Sequence, residues 1–135
     1  MKVIEIHRTE KTPEIILDDE KGILELSGKC LPENIRNLEQ LVTQKLRTYL
    51  NESFNEADSQ RAEKALKVNF KLAYFNSAAA KFIADILMLT NEYIKKGYNI
   101  KIYWYFSEDD DDMLEAGEDF AEMIEVPMQF IMTPN

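Results

Sequence analysis

Few side chains in this sequence can do chemistry, and their spacing limits what that chemistry is. His7 is the only histidine and Cys30 the only cysteine. A serine–histidine–acid triad would have to recruit His7 from a terminus that reads as mobile, so His7 reads as a solvated residue. Cys30 has no second thiol for a disulfide or a redox pair, and it reads as a small buried or half-buried residue. The four glycines are scattered and form no phosphate-cradling loop. Two features remain. One is the acidic run Glu108, Asp109, Asp110, Asp111 and Asp112, continued by Glu115, Glu118, Asp119 and Glu122. The other is Ser77, set in KLAYFNSAAAK at residues 71–81.

The acidic run supports three readings. Asp109 to Asp112 with Glu115 have the carboxylate density to hold magnesium around a phosphate substrate, as in a metal-dependent hydrolase. Their spacing fails the EF-hand pattern, which needs a central glycine and a glutamate at the twelfth loop position. Acids in a first turn also favour the positive end of a helix dipole, with Ser107 or Asp109 able to cap it. The run then reads as the solvated face of an amphipathic helix whose buried side carries Met113, Leu114, Gly117, Phe120, Ala121 and Ile124, or as an acidic surface for a partner.

Ser77 has two readings. A serine at a strand-to-helix junction is a favoured N-cap. The same position suits a switch, since phosphate brings about 1.5 to 2 negative charges and a helix N-terminus accepts them readily. Asn76 would position the serine at the turn. Ala78, Ala79 and Ala80 leave room for a kinase or a docked partner. Lys81, one helical turn on, can pair with a phosphate or with an acid of a partner.

The elements that must position these residues follow from patterning. The chain has 135 residues, 45% hydrophobic, enough to build one domain spanning 1–135 around a real core. Its net charge of −9 argues against nucleic acid and against anionic membrane as partners. The start, MKVIEIHRTE, has no apolar leader run, and residues 1–11 read as a flexible terminus of a cytoplasmic protein. Residues 14–18 and 23–27 read as a hairpin turning at Gly22. A helix is predicted from about Pro32 to Leu50, and residues 51–64 read as a polar loop. Residues 66–74 form the clearest strand, with Val68, Phe70, Leu72 and Tyr74 on one face. A helix follows from Ser77 to about Lys96, terminated by Gly97. Residues 99–106 form a strand in which Trp104 reads as core, not as a base-stacking platform. A third helix runs from Ser107 to about Ile124, and MQFIM beyond Pro127 reads as an edge strand. The predicted class is α/β (α+β): a mixed sheet of four to five strands with one layer of three helices on one face.

Four stretches make the chain resemble the SiaC family of bacterial regulatory phosphoproteins. They are TP at 12–13, GILELSGKCLPEN at 22–34, FKLAYFNSAAAK at 70–81 and YWYFSEDDDDMLEAGEDFAEM at 103–123. The last two are specific, and together the four cover nearly the whole chain in order.

The resemblance implies an architecture similar to STAS-type anti-sigma-factor antagonists. It implies that a dedicated kinase phosphorylates the hydroxyl after Y-F-N, here Ser77, and that a PP2C-type phosphatase reverses this. It also implies that the unphosphorylated form binds and activates a diguanylate cyclase, raising cyclic di-GMP and promoting aggregation or biofilm. Such a protein is not an enzyme and needs no cofactor. An anti-sigma factor or a histidine kinase is the alternative effector. Tyr74, Asn76, Ala78 and Lys81, with Asp109, Asp112, Glu115 and Glu118 on the acidic helix, are the expected partner-contact residues, on a monomer or weak homodimer. Serine replaces the more familiar threonine, and Ala78 to Ala80 replace residues that are often serines. Cys30-Leu31 replaces the more usual Ser-Tyr.

Overall fold

The computed structural model describes residues 1–32, 35–53 and 65–134. Its strands are β1 (Lys2–Ile6), β2 (Glu14–Asp18), β3 (Ile23–Cys30), β4 (Leu66–Phe75), β5 (Ile100–Ser107) and β6 (Gln129–Thr133). Helix α1 (Arg36–Ser53) joins β3 to β4, α2 (Ser77–Lys95) joins β4 to β5, and α3 (Asp111–Ile124) joins β5 to β6. The strands lie side by side in chain order. Antiparallel pairing links β1, β2 and β3, and parallel pairing links β3 through β6.

Three successive crossovers step the same way across the sheet. Such connections are right-handed, so all three helices lie on one face. Burial follows the two-residue period of the strands. Leu24 and Leu26 of β3, Val68 and Phe70 of β4, and Ile102 and Trp104 of β5 are buried under the helices. They meet Val42, Leu46 and Leu50 of α1, Phe82, Ile83, Ile86 and Leu87 of α2, and Met113 and Phe120 of α3. The opposite face is mixed, with half-buried Ile16, Ile23 and Ile131 among charged and tyrosine side chains. Lys71 there pairs with Glu25 at 3.1 Å and lies 4.8 Å over the Tyr105 ring.

The helical layer, the hairpin and the right order of the later elements match the pattern reading. Three points differ. The sheet has six strands, not the four to five expected from patterning, because residues 2–6 form β1 where a flexible terminus was expected. Ile4 and Ile6 alternate and pair beside Leu17 and Ile15, so a five-residue run is enough to cover the core edge. Helix α1 runs on through Ser53, past the expected end at Leu50, while residues 54–64 of the expected loop lie outside the described residues. Tyr74 does not share the core face of Leu72. The pairing of β3 with β4 steps from Gly28–Leu72 to Lys29–Tyr74, so Ala73 is an extra residue in β4. That bulge turns Tyr74 outward to 57% exposure, and Phe75 takes the inward place against Trp104 and Phe120.

Candidate functional site

The C-terminal ends of the parallel strands lie along one edge of the sheet, where α1, α2 and α3 begin. Ser77 follows β4 at this edge, and the acidic run follows β5 beside it.

The helix cap at the first corner is Asn76, not Ser77. Asn76 has extended backbone angles, and its Oδ1 accepts from the Ala79 N–H at 2.9 Å. Its position is set from two sides. The backbone N–H of Asn76 donates to the Cys30 carbonyl at 3.1 Å, continuing the β3–β4 ladder. Its Nδ2 donates to the Pro32 carbonyl at 3.5 Å. Serine and asparagine cap about equally well, so local preference cannot choose between neighbours. The ladder bond to Cys30 keeps residue 76 extended, and an extended residue is what a cap requires. Ser77 therefore becomes the first helical residue, exposed and relieved of the capping role. Asn76→Ala is expected to cost about 1 kcal/mol of stability. Urea melts check this, and recovery in Asn76→Asp but not in Asn76→Gln would show that a short side-chain acceptor is what matters.

Around Ser77, Ala78 is exposed, Ala80 half-buried and Ala79 fully buried against the core. Lys81 is already engaged. Its Nζ lies 3.0 Å from Glu39 Oε1 on α1 and 3.3 Å from Asp85 Oδ2 one turn further along α2. Those carboxylates hold the ammonium pKa above its usual value, Glu39 most of all. Glu39 is the residue that sequence reasoning missed at this corner. It lies 42 positions away, and no local signal connects the two. Cys30, under the corner, is buried, and burial pushes its thiol up to about 11.

At the second corner Asp110 caps α3, accepting from the Met113 N–H at 3.0 Å, so Ser107 and Asp109 do not. The Ser107 hydroxyl instead donates to Asp109 at 2.7 Å, and the Glu108 N–H donates to the Thr133 carbonyl of β6. Asp109, Asp112, Glu115 and Glu118 are exposed. Among the described residues no three His, Cys, Asp or Glu side chains converge to hold a metal ion. The acids fan outward because Met113, Gly117 and Phe120 occupy the inner face.

The two corners share a floor. Trp104 is fully buried, with ring centroids 5.4 Å from Phe70, 6.3 Å from Phe75 and 5.8 Å from Phe120. Its indole N–H donates to the Met113 carbonyl at 2.9 Å. Phe75, just before Asn76 and Ser77, thus packs on the same aromatic group that seats the acidic helix. The expected core role of Trp104 holds.

The molecule has clear relatives. The model of the family described as SiaC family regulatory phosphoprotein matches residues 6–133. An uncharacterised protein of Pseudomonas aeruginosa (strain UCBPP-PA14) is 29% identical over 127 residues, covering 94% of each chain. The crystal structure of apo-SiaC from Pseudomonas aeruginosa superposes with a TM-score of 0.80 at 25% identity, over 97% of this chain and 98% of that one. A similar match, TM-score 0.79 at 27% identity over 98% and 99% of the chains, is to the crystal structure of the diguanylate cyclase SiaD in complex with its activator SiaC. With the Y-F-N-Ser corner and the acidic helix both in place, the chain belongs to the SiaC family of regulatory phosphoproteins.

Proposed function

We propose that this chain is a non-enzymatic switch that binds and activates a diguanylate cyclase when Ser77 is unmodified, and releases it when a kinase has phosphorylated Ser77. A PP2C-type phosphatase resets it. The output is cyclic di-GMP, with aggregation or biofilm downstream, in the cytoplasm. No helix of the described residues is long and apolar enough to cross a membrane. The cyclase is favoured over an anti-sigma factor or a histidine kinase because a relative of the same fold forms a complex with one.

The observation that carries this reading is the exposed Ser77 hydroxyl at the first helical position, with the cap supplied by its neighbour. A phosphate there meets backbone N–H groups of the first turn that have no partner within the helix. It costs little folding energy, because the Asn76 cap is not displaced. It also places a dianion one turn from Lys81, in competition with Glu39 and Asp85 for that ammonium. The expected local result is a weakened tie between α1 and α2 at their first turns. A partner fitted to the neutral corner then faces uncompensated charge.

The test is cyclase activation by the unmodified protein, by protein carrying phosphoserine at position 77, and by Ser77→Ala. Ser77→Ala should activate like the wild type, and the phosphoprotein should need about a hundredfold higher concentration, the scale set by an uncompensated like charge in an interface. Equal activation by all three sinks the switch. Activation of no cyclase, with tight capture of another effector, sinks the choice of effector only.

A further inference from the structure

Helices α2 and α3 leave an apolar cleft between them, away from the aromatic floor. It is an open groove of about 530 Å³ walled by Ala84, Met88, Asn91, Glu92 and Lys95 of α2 and by Met123 and Ile124 of α3. Glu92 is paired with Arg47 of α1 at 3.1 Å, so its charge is already matched. Met88 is 49% exposed and Met123 72% exposed, on a chain whose other large apolar side chains mostly lie in the core. Methionines adapt their shape to an incoming surface, which suits them to protein recognition. Ser77, Lys81, Ala84, Met88, Asn91 and Lys95 recur at helical spacing, so they form one stripe along α2. The stripe runs from the Ser77 corner to the far end of the cleft, about 27 Å at the rise of an α-helix.

The charge around the cleft selects its occupant. Along α3 the exposed residues include Asp111, Asp112, Glu115, Glu118, Asp119 and Glu122, and the helix has no lysine or arginine. At the far end Lys95 and Lys96 supply positive charge. Both helices begin at the Ser77 edge, so their positive dipole ends point there. A third helix laid antiparallel to them would bring its negative C-terminal end to that edge and its positive N-terminal end to the other.

We infer that the α2–α3 cleft receives an amphipathic helix of the partner, antiparallel to α2, with apolar anchors between Met88 and Met123 and lysines or arginines facing α3. Acids in the partner's first turn meet Lys95 and Lys96, and its C-terminal turn lies over Ser77. Phosphate at Ser77 then repels that negative end. This last clause rests on the proposed switch, whereas the cleft and its occupant do not.

The probe is an 18-residue helical peptide with leucines at three- and four-residue spacing, lysines on one flank and glutamates in its first turn. Its control carries glutamate in place of every lysine. Both are titrated into the full chain labelled with carbon-13 at its methionine methyl groups. Met88 and Met123 are expected to shift saturably with the lysine peptide, while Met1 and Met132 stay still. The glutamate control should bind about tenfold or more weakly, and so should the lysine peptide to Met123→Lys. Met123 is so exposed that this variant keeps its fold. Unmoved Met88 and Met123 signals, or equal binding of the two peptides, overturn the cleft assignment whatever the cyclase assay shows. If the cleft binds as expected but phosphoserine at position 77 leaves the peptide affinity unchanged, the placement of the helix end over Ser77 is overturned and the cleft stands.

Discussion

Trp104→Ala loses about 3–5 kcal/mol of folding stability, the scale for deleting a large buried aromatic side chain. Three rings pack on the indole, and the cavity cannot collapse without moving β4 or α3. Trp104→Phe loses less, since it keeps most of the ring area and gives up the bond to the Met113 carbonyl. A companion substitution separates packing from helix preference. Gly117 sits in α3, where alanine would ordinarily gain up to about 1 kcal/mol. Here a Cβ would lie 2.5 Å from Trp104 Nε1 and 2.6 Å from Cδ1. The indole is fully enclosed and cannot yield, so Gly117→Ala should destabilise by about 1–3 kcal/mol instead. Urea melts with unchanged m-values measure both. A Gly117→Ala protein as stable as the wild type would mean that α3 does not seat on Trp104 as described. Because Phe75 touches the same cluster, these variants should also raise amide exchange at Asn76 and Ser77.

At the opposite end of the sheet, replacing Gly22 should cost about 2–4 kcal/mol, even when the new residue is asparagine. Gly22 has φ +65°, a conformation in which asparagine is the best-tolerated substitute for glycine. Space, not only backbone angle, forbids it here. A Cβ on Gly22 would lie 2.6 Å from the Ala65 carbonyl oxygen. That atom belongs to backbone held in place on both sides, since the Lys67 N–H donates to the Gly22 carbonyl at 2.8 Å and the Leu66 N–H donates to Asn99. Gly97→Asn is the control. Gly97 also has positive φ, at +94°, but a Cβ there meets nothing within 4 Å. Thermal melts should show a clearly larger loss for Gly22→Asn than for Gly97→Asn. Equal losses would place the whole cost in backbone angle and remove the close approach of the β2–β3 turn to the start of β4.

What the sequence determined alone is what local spacing encodes. The three- and four-residue repeat from Phe82 to Tyr93, the alternation from Ile100 to Phe106 and the acidic opening of α3 identify elements whose neighbours in space are neighbours in sequence. The Y-F-N-Ser motif is local too, so the SiaC family and the candidate serine were legible before any fold was known. What only the tertiary structure decided are choices made by contacts far apart along the chain. The cap fell to Asn76 because the Cys30 and Pro32 carbonyls hold that residue extended. Tyr74 turned outward because β3 and β4 differ by one residue at the bulge, which neither strand shows by itself. Lys81 found Glu39 across two helices. The cleft between Met88 and Met123 exists because two crossovers of the same hand bring α2 and α3 together, and a stripe on one helix does not reveal which helix will lie beside it.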